Sequence, residues 1–76
     1  MVNSKTILVT GATGFVGACL ARRFVAMNNE VHITARKESN KWRIQDILGY
    51  MVQHNVDLRD RDAVESLIAD IRPNII

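Results

Sequence analysis

The sequence predicts an α/β fold, the first half of a doubly wound parallel sheet, and three observations carry that prediction. Short stretches rich in branched or alternating apolar residues take turns with stretches of helical period. Each pair of successive strand candidates is separated by enough chain for the crossover that parallel strands require. A run of three glycines sits where the first strand gives way to the first helix. The chain has 76 residues, 47% of them hydrophobic and 24% charged, with a single proline, which is the composition of one small globular domain.

The first element is TILVT, residues 6–10, rich in branched side chains and short enough for a strand covered on both faces. The glycines then break it. From Phe15 the period changes: Val16, Leu20, Phe24 and Met27 recur every three or four residues and align one apolar stripe along a helix, with Cys19 beside it. Asn28 and Asn29 are suited to end this helix, because asparagine tolerates a left-handed cap. EVHITAR, residues 30–36, returns to period two, with Val31, Ile33 and Ala35 facing one way and His32 and Thr34 the other.

After the polar break KESNK, a weaker helical pattern runs through Trp42, Ile44, Ile47, Leu48 and Met51. Ser39 or Asn40 serves as its cap, and Gly49 leaves its end undefined. MVQHNVDL, residues 51–58, alternates Val52, His54 and Val56 on one side and predicts the third strand. Asp60 caps a third helix with an inward stripe of Ala63, Val64, Leu67, Ile68 and Ile71, and Pro73 closes it. The terminal NII then reads as the opening of a fourth strand. Right-handed crossovers follow from the strand–helix alternation.

Gly11, Gly14 and Gly17 form GxxGxxG, with the first glycine just after a strand and the last inside a helix start. Missing side chains permit a turn at Gly11, the approach of a ligand near Gly14 and close helix–sheet contact at Gly17. The amides of Phe15 and Val16, at the positive end of the helix, can meet a pyrophosphate. The competing reading is a turn that serves structure alone. A P-loop is the poorer match, since Ala18 and Cys19 stand where a lysine and a hydroxyl are wanted.

VTGATGFVG, residues 9–17, resembles the TGxxGxxG fingerprint of the short-chain dehydrogenase/reductase superfamily, especially its extended branch of nucleotide-sugar epimerases and dehydratases. Thr10, Gly11, Gly14, Phe15, Val16 and Gly17 match that cofactor loop residue by residue. VDLRD continues the likeness: in the family an aspartate and an apolar residue after the third strand meet the adenine ring, and here they are Asp57 and Leu58. SNKWRI, residues 39–44, is similar to the segment after the second strand in several sugar-nucleotide members.

The resemblance implies a Rossmann-like sheet of order β-α-β-α-β-α with the start of a fourth strand, and an NAD(P) cofactor. In a full member it also implies an active-site Ser or Thr, a Tyr-x-x-x-Lys pair and a substrate domain, none of which falls within residues 1–76. Tyr50 is followed four positions later by His54, so it does not carry over as the catalytic tyrosine and reads as a partly buried aromatic near a helix end. The expectation is therefore the N-terminal part of an NAD(P)-binding domain over residues 1–76, without its substrate domain. Catalytic residues and the contacts for a nucleotide-sugar substrate would lie elsewhere, and these residues alone would give no turnover.

Arg36 ends the second strand nineteen positions after Gly17, where an NAD site often places a carboxylate for the adenosine ribose. Its guanidinium, with Lys37 beside it, suits a ribose 2′-phosphate and favours NADP over NAD. Arg36 pointing to solvent or stacking on adenine, with Lys37 keeping the loop hydrated, is the alternative.

Other classes find less support. The net charge of +2 comes from basic residues interspersed with acids, without the aromatic-rich basic surface that nucleic acid would want. Cys19 is the single cysteine, which permits neither an internal disulfide nor a cysteine zinc cluster. It reads as a buried small side chain, or else a reactive thiol, in keeping with a reducing cytoplasm. No secretory signal and no run of roughly 20 apolar residues is seen, so no membrane partner is expected. His32 and His54 fall in separate strands, and Asp60 and Asp62 suit a helix start, so no metal or acid–base pair is assigned. Two further readings stay open: a non-catalytic nucleotide-sensing or protein-interaction domain of the atypical short-chain dehydrogenase type, and a truncated folding unit that self-associates through an unsatisfied edge.

Overall fold

The computed structural model describes residues 5–36 and 40–75. Three parallel strands, β1 (Thr6–Val9), β2 (Glu30–Ala35) and β3 (Met51–Asn55), lie side by side in the order β1-β2-β3. Helix α1 (Phe15–Ala26) carries the chain from β1 to β2, a 3₁₀ helix (Trp42–Tyr50) carries it from β2 to β3, and α2 (Arg61–Ile71) follows β3. This is the first half of a Rossmann-like sheet.

Register explains the burial. Ile7 pairs with Val31 and Val9 with Ile33, so one face gathers four branched side chains, all of them buried. Ala18 and Ala21 of α1 and Ile44 and Ile47 of the 3₁₀ helix cover that face and complete the core. The alternate positions Leu8 and His32 pair on the opposite face and are buried as well, as expected of a strand with both faces covered. Ile7, Leu8, Val31, Ile33 and Ile44 are fully buried, and each contributes about 1.5–3 kcal/mol of transfer free energy.

Beyond Pro73 the chain returns to β1. Asn74 donates its N–H to the Thr6 carbonyl at 2.7 Å, and Leu8 donates to the Ile75 carbonyl at 2.9 Å. The Asn74 side chain accepts from the Thr6 N–H at 2.9 Å. Ile75 thus forms a parallel bridge with Ile7, and the opening of the fourth strand lies beside β1. Strand order reverses at β1, which is where doubly wound sheets open a ligand crevice.

Local end signals behave as the sequence predicts. Asn28 adopts φ 62° behind α1, and the Asp60 side chain accepts from the Ala63 N–H at 3.1 Å at the start of α2. Helix α2 ends at Ile71, with Arg72 in the left-handed region and Pro73 next. Its stripe is shallower than expected: Leu67 is buried, whereas Ala63, Val64, Ile68 and Ile71 are half-buried.

Several expectations need correction. Helix α1 turns a different face to the sheet: Ala18 and Ala21 are buried, while Val16, Leu20 and Met27 are exposed and Phe24 is half-buried. Small side chains let the helix axis approach the sheet, and Gly17 locks that approach. Cys19 consequently lies on the outer face and is exposed, not buried.

The second helix is 3₁₀ rather than α. Its buried residues Ile44 and Ile47 stand three apart, the repeat of that helix, and Met51 leaves it to begin β3. Lys41, not Asn40, stands at the N-cap, without a side-chain capping bond; Asn40, one residue earlier, accepts from the Trp42 N–H at 3.1 Å, and Ser39 lies outside the described residues. Tyr50 is 73% exposed rather than partly buried, because the 3₁₀ turn swings it away from the core. All three strands end earlier than the sequence suggests, so Thr10, Arg36, Asp57 and Leu58 stand on loops just past their C-terminal ends. Among the described residues, no helix is long and apolar enough to cross a membrane.

Candidate functional site

Each glycine between β1 and α1 has a separate task. Gly11 takes φ +72°, a left-handed conformation that disfavours any residue with a Cβ. Its carbonyl accepts from the Gly14 N–H at 3.0 Å, which closes the turn. Gly14 then caps α1 and begins its ladder by accepting from the Ala18 N–H at 2.9 Å. A Cβ on Gly17 would lie 2.0 Å from the Gly11 carbonyl oxygen, so the helix rests directly on the loop backbone there.

The helix start that results suits an anion. Phe15 and Val16 are 73% and 68% exposed, and first-turn amides have no intrahelical carbonyl to bond. Gly14 brings no side-chain acceptor, and the first turn holds no acidic residue to offset the positive end of the helix. Thr10 is exposed at the beginning of the same loop.

The C-terminal ends of the three strands open onto a cleft of about 450 Å³. Gly11 and Thr13 line one side, Thr34, Ala35 and Arg36 come from the end of β2, and Val56 to Arg59 follow β3. Of the site residues expected from sequence, the cleft brings together Gly11, Arg36, Asp57 and Leu58. Thr10, Gly14, Phe15 and Val16 lie on the adjoining loop and helix start, and Gly17 is half-buried beneath them. Lys37 lies outside the described residues.

Asp57 is held as an ionised acceptor on the cleft wall. The Arg59 guanidinium reaches its carboxylate at 2.7 Å, and the Arg59 N–H donates to it at 2.9 Å. These bonds, with a smaller electrostatic pull from Arg36, keep the carboxyl well below the usual carboxylate range. Leu58 beside it is 51% exposed and offers an apolar surface. Thr13, Thr34 and Arg59 were not among the sequence candidates. Arg59 stands inside the VDLRD stretch, two residues after Asp57, a spacing that allows the ion pair.

The two histidines come together, and neither lines this cleft. His32 Nδ1 and His54 Nε2 are 2.9 Å apart, the rings stack at 5.1 Å, and Glu30 accepts from His32 Nε2 at 2.6 Å. Burial, helped by the neighbouring His32, pushes the His54 pKa down. His32 is buried and His54 half-buried; the sequence pattern did not reveal their mutual contact or the role of Glu30.

The C-terminal edge of the sheet therefore gathers the exposed first turn of α1, the Arg36 cation, and the Asp57 carboxylate beside the apolar Leu58. Residues 7–76 match the NAD dependent epimerase/dehydratase family. The NADP-dependent 3-hydroxy acid dehydrogenase YdfG of Escherichia coli K12 is 37% identical over 68 residues, which make up 86% of this chain and 27% of that protein. The enzyme WbmH of Bordetella bronchiseptica, solved in complex with NAD+, superposes with a TM-score of 0.81 at 19% identity, over 96% of this chain and 25% of that one. The closed form of a serine dehydrogenase complexed with NADP+ gives a TM-score of 0.66 at 35% identity, over 84% of this chain and 26% of that one. The chain thus spans about a quarter of the length of these proteins.

Proposed function

Because the chain belongs to the NAD-dependent epimerase/dehydratase family of short-chain dehydrogenase/reductase proteins, we propose that residues 1–76 form the front of a dinucleotide-binding domain whose preferred cofactor is NADP. The observation that carries this reading is the cleft itself, which sets the glycine loop, Arg36 and the Asp57–Leu58 pair around one space. Phe15 and Val16 present the amides of the helix start to the pyrophosphate, and Thr10, Gly11, Gly14 and Gly17 shape the loop around it. Asp57 and Leu58 receive the adenine, and Arg36 with Lys37 takes the ribose 2′-phosphate. The fit is supported by the uncapped first turn of α1, where Gly14 brings no side-chain acceptor to compete with an anion.

When bound, the nicotinamide accepts or returns a hydride. This chain's own residues bind and orient the dinucleotide, and the groups that move protons lie outside residues 1–76. In the wider protein the substrate is a nucleotide sugar, activated for epimerisation or dehydration by transient oxidation. A second reading, direct oxidation of a small hydroxy acid, is favoured by the likeness to the 3-hydroxy acid and serine dehydrogenases. Net accumulation of NADPH during turnover supports that second reading, whereas turnover without net NADPH supports the first. The lone exposed Cys19 suits a reducing compartment, and fractionation of cells with the protein outside the cytoplasm would remove that part of the reading.

Arg36→Ala tests the cofactor assignment. Loss of charge-assisted hydrogen bonds worth about 1.5–3 kcal/mol lowers NADP affinity roughly ten- to a hundredfold and leaves NAD almost unchanged. Paired calorimetric titrations at fixed salt measure both. Equal affinities before mutation, or a preference for NAD, would sink the NADP assignment and leave the pyrophosphate loop standing.

A further inference from the structure

Arg43 touches the glycine loop from outside the cleft. Its Nη1 donates to the Thr13 carbonyl at 3.3 Å, across thirty positions of sequence. Thr13 faces the cleft, whereas Arg43 itself borders a separate apolar depression with Phe15, Cys19 and Trp42. The Thr13 carbonyl and the Gly14 N–H belong to one planar peptide unit. Gly11 accepts from that N–H at 3.0 Å, so the unit is held at both ends, by Gly11 on the nitrogen side and by Arg43 on the oxygen side.

Arg43 is well placed to act as a fixed anchor. Its own carbonyl accepts from Arg22 at 2.8 Å, and Arg22 is in turn gripped by both oxygens of Asp46 at 2.6 and 2.9 Å. Its guanidinium lies 4.5 Å over the Trp42 ring. The next residue, Ile44, is fully buried in the core. A glycine-rich loop has little of its own to hold a peptide plane in one orientation, since glycine allows both signs of φ. Without Arg43 the Thr13–Gly14 plane loses one of its two restraints, and the amides that follow it lose their common direction.

We propose that Arg43 is a positioning residue for the pyrophosphate loop, acting through the Thr13 carbonyl, an inference that rests on the dinucleotide reading of that loop. Calorimetric titration of the intact protein, unmodified and as Arg43→Ala and Arg43→Lys, with NADP, NAD and 2′-AMP tests it. Arg43→Ala weakens NADP and NAD by the same factor, roughly five- to tenfold for one lost hydrogen bond, and leaves 2′-AMP, which has no pyrophosphate, unchanged. Arg43→Lys keeps a donor and recovers most of the loss.

Unchanged dinucleotide affinities in Arg43→Ala overturn the inference. So does a loss confined to NADP, which would make Arg43 a 2′-phosphate ligand, or an equal loss on 2′-AMP, which would mark general structural damage. Arg43→Lys as weak as Arg43→Ala also overturns it. Absence of dinucleotide binding by the unmodified protein defeats the functional reading itself, whatever the variants do.

Discussion

Gly17→Ala is the sharpest perturbation the loop offers, because its effect follows from distances alone. The added Cβ would stand 2.0 Å from the Gly11 oxygen, 2.6 Å from the Gly11 carbonyl carbon and 3.0 Å from the Ala12 Cα. Carbon–oxygen contacts settle near about 3.3 Å, so helix or loop must retreat by roughly an ångström. Neither does so freely: Ala12 is fully buried, and all three colliding atoms are backbone. Overpacking of this kind costs about 3 kcal/mol, and the gain in helix propensity returns about 1, for a net loss of about 2 kcal/mol. For a domain of this size that lowers the melting temperature by roughly 8–16 °C.

Gly14→Ala is the control. Its Cβ would meet the Gly11 oxygen at 3.4 Å, an ordinary contact, and its φ of −84° suits alanine. It should melt within about 3 °C of the parent, while dinucleotide affinity falls tenfold or more as the methyl enters the phosphate's space. Circular-dichroism melts and NADP titration of both variants decide the matter. Gly17→Ala melting with the parent, or Gly14→Ala binding NADP with undiminished affinity, would refute the division of labour between the two glycines.

Two further outcomes can be checked. Burial depresses the His54 pKa below its ordinary 6.5, so the unfolded chain takes up that proton first as the pH falls. This contribution to stability is therefore present above the ordinary histidine value of about 6.5 and is lost as the pH falls below it. His54→Gln should flatten this decline in urea titrations at stepped pH, and an unchanged slope would show that another group carries it. Separately, the isolated 76 residues should self-associate, since Phe15, Val16, Leu20 and Met27 leave an exposed apolar face on α1. Sedimentation at low micromolar concentration showing a folded monomer would contradict this.

What could be read in the sequence was largely what is settled locally. Asp60 needs its own helix start and Asn28 its own backbone angles, so residue type sufficed at both. The glycine triplet was legible for the same reason, since turn, cap and close contact fall within seven residues of one another. The rotation of α1 was not legible, because hydropathy favoured Val16, Leu20 and Met27 while the Gly17 contact dictates that Ala18 and Ala21 face the sheet. A stripe of small residues carries little hydropathy, and its meaning depends on how near the helix can come. Arg43 on Thr13 and His32 on His54 were equally hidden: each joins separate elements, and the strand register that sets His54 diagonally across from His32 is fixed only by the assembled sheet.

The seam between β1 and Asn74 also bears on how such a chain is made. Thr6 waits for a partner 68 positions downstream, so one edge of the first strand leaves the ribosome unpaired. At a synthesis rate of roughly 5–20 residues per second, that edge stays available for several seconds while β2, the 3₁₀ helix, β3 and α2 are still emerging. During that interval the N–H of Leu8, later bonded to Ile75, is a vacancy that any extended segment can fill. The order of synthesis thus leaves that edge of β1 open until Asn74 and Ile75 have emerged, and slow translation just before Asn74 would lengthen its exposure.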